Sequence, residues 1–255
     1  MKIDNQAKIK AMREFLRDTI RLNTDFKLTD RAQGIAQPAI EKAVLEAQEL
    51  ISLPDPSKTE LAPLDLRALL ERRRSVRSYA EEALSLTELS WLLYATQGVS
   101  KQTTQHNVFR TVPSAGNRHP FETYVAVQRV TGLSQGIYRY LPLEHALVFE
   151  SELKDYESEL TAAALGQRFA GKAAVNFIWT AIPYRTEWSY GPVSVKVIAM
   201  DLGHICQNLY LAVESIACGT CEIGAYHQEL ADRLLKVDGQ DEFVVAMAPL
   251  GKLKQ

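Results

Sequence analysis

Arginine and hydroxyl side chains are concentrated in one short segment, residues 72–79, which reads Arg-Arg-Arg-Ser-Val-Arg-Ser-Tyr. Guanidinium groups match phosphate oxygens two at a time, and serine hydroxyls add further hydrogen-bond donors. This chemistry predicts an anion-binding site. The alternative interpretation is a solvated basic helix end that complements the helix dipole.

A second segment with unusual chemistry is Pro-Ser-Ala-Gly-Asn-Arg-His-Pro at residues 113–120, which a strand-like run follows directly. Taken together, the two segments resemble the flavin-dependent nitroreductase superfamily. In that superfamily an R-R-S-x-R segment and a later P-S-x-x-N or P-S-A-G loop both approach one FMN. The most similar branch is that of the SagB-type dehydrogenases.

The resemblance implies a set of cofactor-binding residues and a homodimer of domain-swapped style, because each site needs both chains. On one chain, the family positions that bind the FMN phosphate, ribityl chain and pyrimidine edge are matched by Arg73, Ser75 and Arg77, with Arg74 helping. Backbone contacts near flavin N5 are matched by Ile223 and Gly224, and the terminal phosphate-side segment by Gly251 and Lys252. The loop from the other subunit is matched by Pro113, Ser114, Ala115 and Asn117.

Two departures from the SagB-type pattern lie on the substrate side of this implied site. The loop continues as Asn117-Arg118-His119, which is closer to the N-x-Q-P of nitroreductases, and Val193 and Lys196 stand where arginines are frequent. No side chain is identified as a catalytic acid or base. The resemblance therefore leaves the substrate unassigned.

Other motifs favour different chemistry or none. The chain has no G-x-G-x-x-G after a strand, no G-x-x-x-x-G-K-[ST] and no H-E-x-x-H, so a Rossmann unit, a P-loop and a metal hydrolase are disfavoured. Cys218 and Cys221 have C-x-x-C spacing, which suits either tight packing or a zinc or thiol redox site. His204 lies in a D-x-G-H-x-x-Q-N run similar to one in many family members. We expect no metal.

Composition bounds the remaining functions. With 255 residues, 46% of them hydrophobic, the chain can form one large domain or a domain with an extension. A net charge of -2 argues against a nucleic-acid partner. No apolar run approaches the length of a membrane helix, and the first six residues contain no apolar signal core. We expect a cytoplasmic protein without a membrane partner, whose three cysteines are reduced.

The first 57 residues are predicted to be a helical extension, and residues 58–255 the FMN-binding domain. Apolar residues at helical spacing predict helices over residues 7–22 and over 39–50, where Ile40, Ala43, Val44 and Ala47 carry the pattern. The composition of residues 53–57 is typical of a linker.

Within the core, the periodicity of the apolar residues and the capping signals predict mixed helices and strands. We predict a helix over 64–71 capped by Asp65, a helix opened by a Ser85–Glu88 capping box, and a flexible loop over 100–107. Helices are further predicted at 152–165, 200–217 and 228–235, an irregular aromatic segment at 184–190, and strands at 123–130, 137–141, 146–149, 174–182, 222–226 and 243–248. This order indicates an α+β, nitroreductase-like fold with a mixed or antiparallel sheet flanked by helices.

The predicted activity is that of an FMN-dependent oxidoreductase with ping-pong electron transfer through flavin N5. The donor is NAD(P)H or an organic substrate, and the acceptor is a nitro-aromatic, a quinone or oxygen. Two alternatives remain open: a noncatalytic flavin- or metabolite-binding dimer whose N-terminal helices serve an interaction, and a zinc- or thiol-based redox protein that uses Cys218 and Cys221.

Overall fold

The computed structural model describes residues 5–46, 48–104 and 107–254. The α-helices within these residues are α1 Asn5–Met12, α2 Thr19–Leu22, α3 Leu66–Arg72, α4 Leu86–Gln97, α5 Tyr156–Ala163, α6 Arg168–Gly171, α7 Tyr184–Tyr190, α8 Ser194–Glu214 and α9 Gln228–Leu235. The strands are β1 Leu50–Ser52, β2 Val99–Thr104, β3 Asn107–Arg110, β4 Phe121–Val127, β5 Gly136–Leu141, β6 Ala146–Ser151, β7 Val175–Ala181, β8 Cys218–Thr220 and β9 Phe243–Lys252. Short 3₁₀ turns lie at Arg13–Phe15, Phe26–Leu28, Pro56–Lys58, Ala115–Asn117 and Gly191–Val193.

The main sheet has the strand order β1-β6-β5-β4-β7-β9-β8, and every neighbouring pair in it is antiparallel. β4 and β7 lie at its centre and are buried along their whole length, which explains their nearly continuous apolar sequences. The predicted α+β fold class is confirmed. The sheet was predicted to be mixed or antiparallel, and it is antiparallel.

Helices cover both faces of this sheet because successive side chains of a strand point to opposite sides. On one face, Val125 and Phe177 pack with α4 and α8. On the other face, Tyr124 and Ile178 pack with α5 and α9. The two cores share the central strands β4 and β7. Because α8 packs against these strands, they fix its position.

The helix starts follow the predicted capping signals. Asp65 accepts a hydrogen bond from the amide of Ala68, and Ser85 forms a complete capping box with Glu88, which confirms both predictions. α8 begins at Ser194, six residues before its predicted start. The aromatic segment 184–190, predicted to be irregular, is the helix α7.

The helix predicted over residues 39–50 is wrong. Residues 39–50 form no helix where the structure describes them, and Ala47 lies outside the described residues. Instead, the carbonyls of Lys42 and Ala43 accept hydrogen bonds from the Arg139 guanidinium at 3.0 and 3.1 Å, and β1 pairs with β6. Tertiary hydrogen bonds to a buried charge thus override the helical spacing of apolar residues.

The strand predicted over 222–226 is also wrong, because only Ile223 forms a β-bridge there, with Met247. The flexible loop predicted over 100–107 is a further wrong prediction. Its described residues belong to the hairpin of β2 and β3, and residues 105 and 106 lie outside the described part of the chain. β2 is mostly exposed, so it shows no apolar alternation in the sequence. The domain boundary at residue 57 stays a prediction; β1, which precedes it, is an edge strand of the main sheet.

Within the described residues, no helix combines the length and the apolar character needed to cross a membrane. The longest helix is α8, with 21 residues, and it carries Lys196, Asp201 and Glu214.

The ion pair between Glu122 and Arg185 provides a test of this core. The carboxylate and guanidinium are 2.5 Å apart with side chains 2% and 4% exposed, and Glu122 also accepts the Lys42 amide. Glu122→Gln is expected to lower the free energy of unfolding by about 3–5 kcal/mol, because it leaves a buried guanidinium without its counter-charge. Urea denaturation measures the change. Glu60→Gln, at an exposed position, is the control, and a loss below about 1 kcal/mol in Glu122→Gln would contradict this account.

Candidate functional site

The arginine segment follows the C-terminus of α3 and runs beside the edge strand β8. The amide of Val76 donates to the Thr220 carbonyl at 2.9 Å, and the amide of Ala80 donates to the Lys252 carbonyl at 2.9 Å. Tyr79 is buried, and its hydroxyl donates to the carbonyls of Val76 and Pro249, each at 2.9 Å. These bonds fix the backbone of the segment and leave its basic side chains near the surface.

Three of the four guanidiniums in this segment have no acidic partner in the described part of the chain. Arg72 is the exception and lies 3.7 Å from Glu214. Arg73 lies over the ring of Tyr210 at 5.4 Å, and Arg74 donates to main-chain carbonyls. The segment therefore presents positive charge that the chain does not itself neutralise.

Tyr210 connects this segment to the one that contains Ile223 and Gly224. Its hydroxyl lies 3.3 Å from Ser75 Oγ and accepts a hydrogen bond from the Glu222 amide at 2.9 Å. Sequence reasoning missed Tyr210, although it is the only aromatic residue in the sequence of α8. The structure thus brings Arg73, Ser75 and the amide preceding Ile223 together around one phenol.

The remaining residues predicted on this side of the site differ in their surroundings. Ile223 is buried and exchanges main-chain hydrogen bonds with Met247 at 2.7 and 3.2 Å. Gly224 is exposed, and a Cβ added there would meet nothing within 4 Å, so open space adjoins its backbone. Gly251 packs against Tyr79, where a Cβ would lie 2.9 Å from the tyrosine Cβ.

Lys252 is paired within the chain. Its ammonium group forms an ion pair with Glu88, and it also donates to the Ile216 carbonyl at 3.4 Å. Burial acts against the charge of Lys252, but the bond to Glu88 and nearby negative groups leave its pKa raised. Its side chain is therefore directed to α4 and does not join the guanidiniums of the arginine segment.

The second predicted segment is anchored to the N-terminal half of α8. Ser114 donates to Asp201 at 2.6 Å, the Ala115 amide donates to the same carboxylate at 3.1 and 3.2 Å, and the His119 amide donates to Ser114 Oγ at 2.8 Å. Burial raises the pKa of Asp201, while the bonds from Ser114 and Ala115 act in the opposite direction. Asp201 thus holds the start of this loop, and Pro113 beside it is exposed.

Three residues of the loop have left-handed backbone conformations, Gly116 with φ of 57°, Asn117 with φ of 59° and His119 with φ of 47°. Glycine and asparagine tolerate this region best. The Asn117 side chain donates to Asn107 Oδ1 at 2.7 Å, and its oxygen lies 2.8 Å from His119 Nε2. Burial lowers the pKa of His119 to about 2, helped by the charges of Arg110 and Arg118, so this imidazole is neutral and structural.

One chain does not bring the two predicted segments together. Tyr210 and Asp201 are nine residues apart on α8, which corresponds to about 14 Å along the helix and about two and a half turns. They therefore project from opposite sides of α8 as well as from different ends. The two predicted segments are therefore anchored at different places on α8.

The C-x-x-C pair lies in the core. Cys218, Cys221 and the third cysteine, Cys206, are buried free thiols. Burial raises the pKa of Cys218 to about 12, which disfavours the thiolate that redox or zinc chemistry requires. Among the described residues, no group of three or more potential metal ligands is present.

Comparison with known proteins identifies one family. The model of the nitroreductase family matches residues 70–252. A candidate nitroreductase of Methanocaldococcus jannaschii is 37% identical over 204 residues, which are 79% of this chain and 96% of that protein. The trifolitoxin-processing protein of Rhizobium leguminosarum bv. trifolii is 30% identical over 165 residues, which are 61% of this chain and 44% of that protein.

Solved structures show the same relationship. A candidate nitroreductase from Ralstonia eutropha has a TM-score of 0.66 and 25% identity, over 84% of this chain and 93% of its own. One from Anabaena variabilis has a TM-score of 0.63 and 29% identity, over 74% of this chain and 38% of its own. The predicted nitroreductase-like fold is confirmed.

The neutral state of His119 predicts a pH dependence of stability. The unfolded chain binds this proton below pH 6.5, whereas the folded chain binds it only near pH 2, so stability falls as the pH decreases from 6.5. Replacing His119 with Gln is expected to remove about 1.4 kcal/mol per pH unit of this slope between about pH 6 and pH 4. Urea denaturation at several pH values measures the slope. His227→Gln, at an exposed position, should keep it, and an unchanged slope in His119→Gln would rule out a buried neutral imidazole.

The role of the Tyr210 hydroxyl is tested by Tyr210→Phe. Losing the hydrogen bonds to Ser75 and Glu222 is expected to cost about 1 kcal/mol of unfolding free energy and to shift both residues' amide signals in an ¹⁵N correlation spectrum. Tyr94→Phe is the matched control, since the Tyr94 hydroxyl makes no hydrogen bond in the described part of the chain. If the two variants behave alike, Tyr210 does not connect the two segments.

Proposed function

Since this chain belongs to the nitroreductase family, we propose that it is an FMN-dependent oxidoreductase of the SagB-type dehydrogenase kind, with the cofactor held between two copies of the chain. The observation that carries the proposal is the group of guanidiniums at Arg73, Arg74 and Arg77. They have no acidic partner in the described residues, and Tyr210 joins their segment to the one leading to Gly224.

The residues of this half-site fit the chemistry of FMN. A phosphate dianion needs positive charge and several donors, which Arg73, Arg74, Ser75 and Arg77 supply at the surface. The open space beside Gly224 allows a planar ring to approach the backbone. Ile223 positions that backbone through its bonds to Met247.

Gly251 and Lys252 enter the proposal as main-chain positions. Lys252 holds the arginine segment through its carbonyl, which accepts the Ala80 amide, while its ammonium group is bound to Glu88. Gly251 lets Tyr79 pack against the strand. Both residues shape the site rather than add charge to it.

Bound FMN supplies a hydride acceptor and donor at N5, between NAD(P)H or an organic donor and a nitro-aromatic, quinone or oxygen acceptor. The chain's own part is to hold the phosphate, to orient the ring and to fix positive charge in advance where negative charge develops. Fixed guanidiniums such as Arg73, which is stacked on Tyr210, require little reorganisation for this task. No side-chain acid is assigned to the reaction.

A homodimer follows from the separation of the two half-sites. The loop containing Pro113, Ser114, Ala115 and Asn117 is anchored at Asp201, about 14 Å along α8 from Tyr210, so we assign the loop of a completed site to a second copy. α8 has an exposed face at helical spacing, with Met200, Gly203, His204 and Gln207. We propose that two copies meet along this face.

Two relatives bear on the choice of substrate. The Methanocaldococcus relative is described as a candidate nitroreductase, which favours reduction of nitro compounds. The Rhizobium relative is by its name a processing protein for trifolitoxin, which favours the SagB-type branch. In this proposal both activities would use the same flavin site. They would differ in the size of the substrate, which is a small molecule in the first case and a larger one in the second.

The decisive experiment is an absorption spectrum of the purified protein before and after anaerobic addition of NADPH. Flavin bands that bleach with NADPH support the oxidoreductase. A yellow protein that stays oxidised with NADPH, NADH and organic donors would instead be a flavin-binding dimer without this activity. A protein that is colourless and takes up no added FMN would refute the proposal.

Arg73→Ala tests the phosphate contact. Losing a charged hydrogen-bond donor costs about 1.5–3 kcal/mol, so the Kd for FMN is expected to rise about 10- to 100-fold in a fluorescence titration. The Kd for riboflavin, which lacks the phosphate, should change much less. Arg67→Ala, exposed on α3, is the control. An equal loss for FMN and riboflavin would mean that Arg73 does not act on the phosphate.

A further inference from the structure

Part of the N-terminal extension is fixed to α7. The Arg31 amide donates to the Trp188 carbonyl at 2.9 Å, and the Trp188 indole donates to the Ile35 carbonyl at 3.0 Å. The Tyr184 hydroxyl donates to Asp30 at 2.6 Å. Residues 30–35 therefore have a defined position over this helix.

Two guanidiniums lie close to the ring of Trp188. The Arg31 group lies over the indole at 5.9 Å from the ring centroid, and the Arg118 group at 5.1 Å. Arg118 is oriented by a hydrogen bond from its Nε to the Gly116 carbonyl at 2.9 Å. Its two terminal nitrogens make no hydrogen bond within the described part of the chain, so they are available to a ligand.

These two charges lack compensation. Neither arginine has an acidic partner in the described residues, and the neighbouring Asp30 already accepts the Tyr184 hydroxyl. The pKa of Arg118 is lowered by burial and then by the charge of Arg31, which shows that the two cations repel each other. An anion beside the indole would relieve this repulsion.

The position of the pair connects it to the proposed reaction. Arg118 directly follows Asn117, and a Cβ added to Gly116 would lie 2.8 Å from the Tyr190 hydroxyl at the end of α7. The guanidiniums thus lie next to the loop that we assign to the flavin site of the second copy. A substrate at that site would come within reach of them.

We propose that Arg31 and Arg118 form an anion-binding subsite that selects reactants carrying a carboxylate or a phosphate group. The inference rests on the proposed function, and it gives the N-terminal extension a role in specificity through Arg31. Guanidinium forks bind both kinds of anion in the same way, so the source of the anion is decided by experiment.

The test compares pairs of reactants that differ by one anionic group, in the wild type and in Arg31→Gln and Arg118→Gln. With NADH as donor, KM is measured for 4-nitrobenzoate and for 4-nitrobenzyl alcohol; with the alcohol as acceptor, it is measured for NADPH and for NADH. We expect each variant to raise KM about tenfold for the member of one pair that carries the additional carboxylate or 2′-phosphate, through the loss of one charged hydrogen bond, and to leave the KM of the other member unchanged. A selective effect on 4-nitrobenzoate identifies a substrate carboxylate, and one on NADPH identifies the donor's 2′-phosphate.

Equal effects on the two members of both pairs, or no effect on either pair, would overturn the subsite. Arg233→Gln, exposed on α9, is the control for a change of surface charge. Calorimetric titration of 4-nitrobenzoate and of adenosine 2′-phosphate into the FMN-loaded protein provides a readout that needs no turnover. A wild type that reduces neither acceptor would argue against reduction of nitro compounds, whereas binding of 4-nitrobenzoate or adenosine 2′-phosphate that is lost in both variants would still support the subsite.

Discussion

The burial of α8 against the centre of the main sheet fixes the positions of the arginine segment and of the Ser114 loop. Ile205, Leu209 and Val213 pack in the same core as the central strands, so the helix cannot rotate or slide without breaking that core. Tyr210 and Asp201 are therefore held in different halves of α8 and on opposite sides of it. The separation of the arginine segment from the Ser114 loop is a consequence of this packing, and it is the reason for proposing two copies.

Buried guanidiniums impose a second constraint, which acts on the N-terminal extension. Arg110 and Arg139 are buried within or beside the strands and need oxygen acceptors. Arg110 binds the Ile40 carbonyl and Arg139 binds those of Lys42 and Ala43. These main-chain carbonyls accept hydrogen bonds whatever side chains they belong to, which ties the extension to the core; the same extension carries Arg31, which lies over Trp188.

Local signals in the sequence predicted much of the fold, and contacts between distant segments account for the rest. The capping box at Ser85 and the apolar stripe of α8 depend only on residues that are close in sequence, and both were predicted. The helix predicted at 39–50 does not form, because the guanidinium of Arg139, about a hundred residues away, binds main-chain carbonyls of this segment. The resemblance selected Arg73 and Ser114 by motif, but Tyr210 belongs to no motif and is recognised only when the chain is folded. The resemblance selected Lys252 as part of the terminal phosphate-side segment. Its ion pair with Glu88 depends on tertiary structure and could not be predicted from the sequence.

The distribution of positive charge is more informative than its total. With a net charge of -2, the chain as a whole does not attract anions, yet two groups of arginines remain without acidic partners in the described residues. One group surrounds Tyr210 and the other surrounds Trp188. Each lies next to one of the two half-sites that a homodimer would join. A completed site would then have positive charge on both sides, one cluster for the cofactor phosphate and one for an anionic reactant. Such an arrangement would separate the tight binding of a cofactor from the weaker selection of a substrate, because the two clusters belong to different chains.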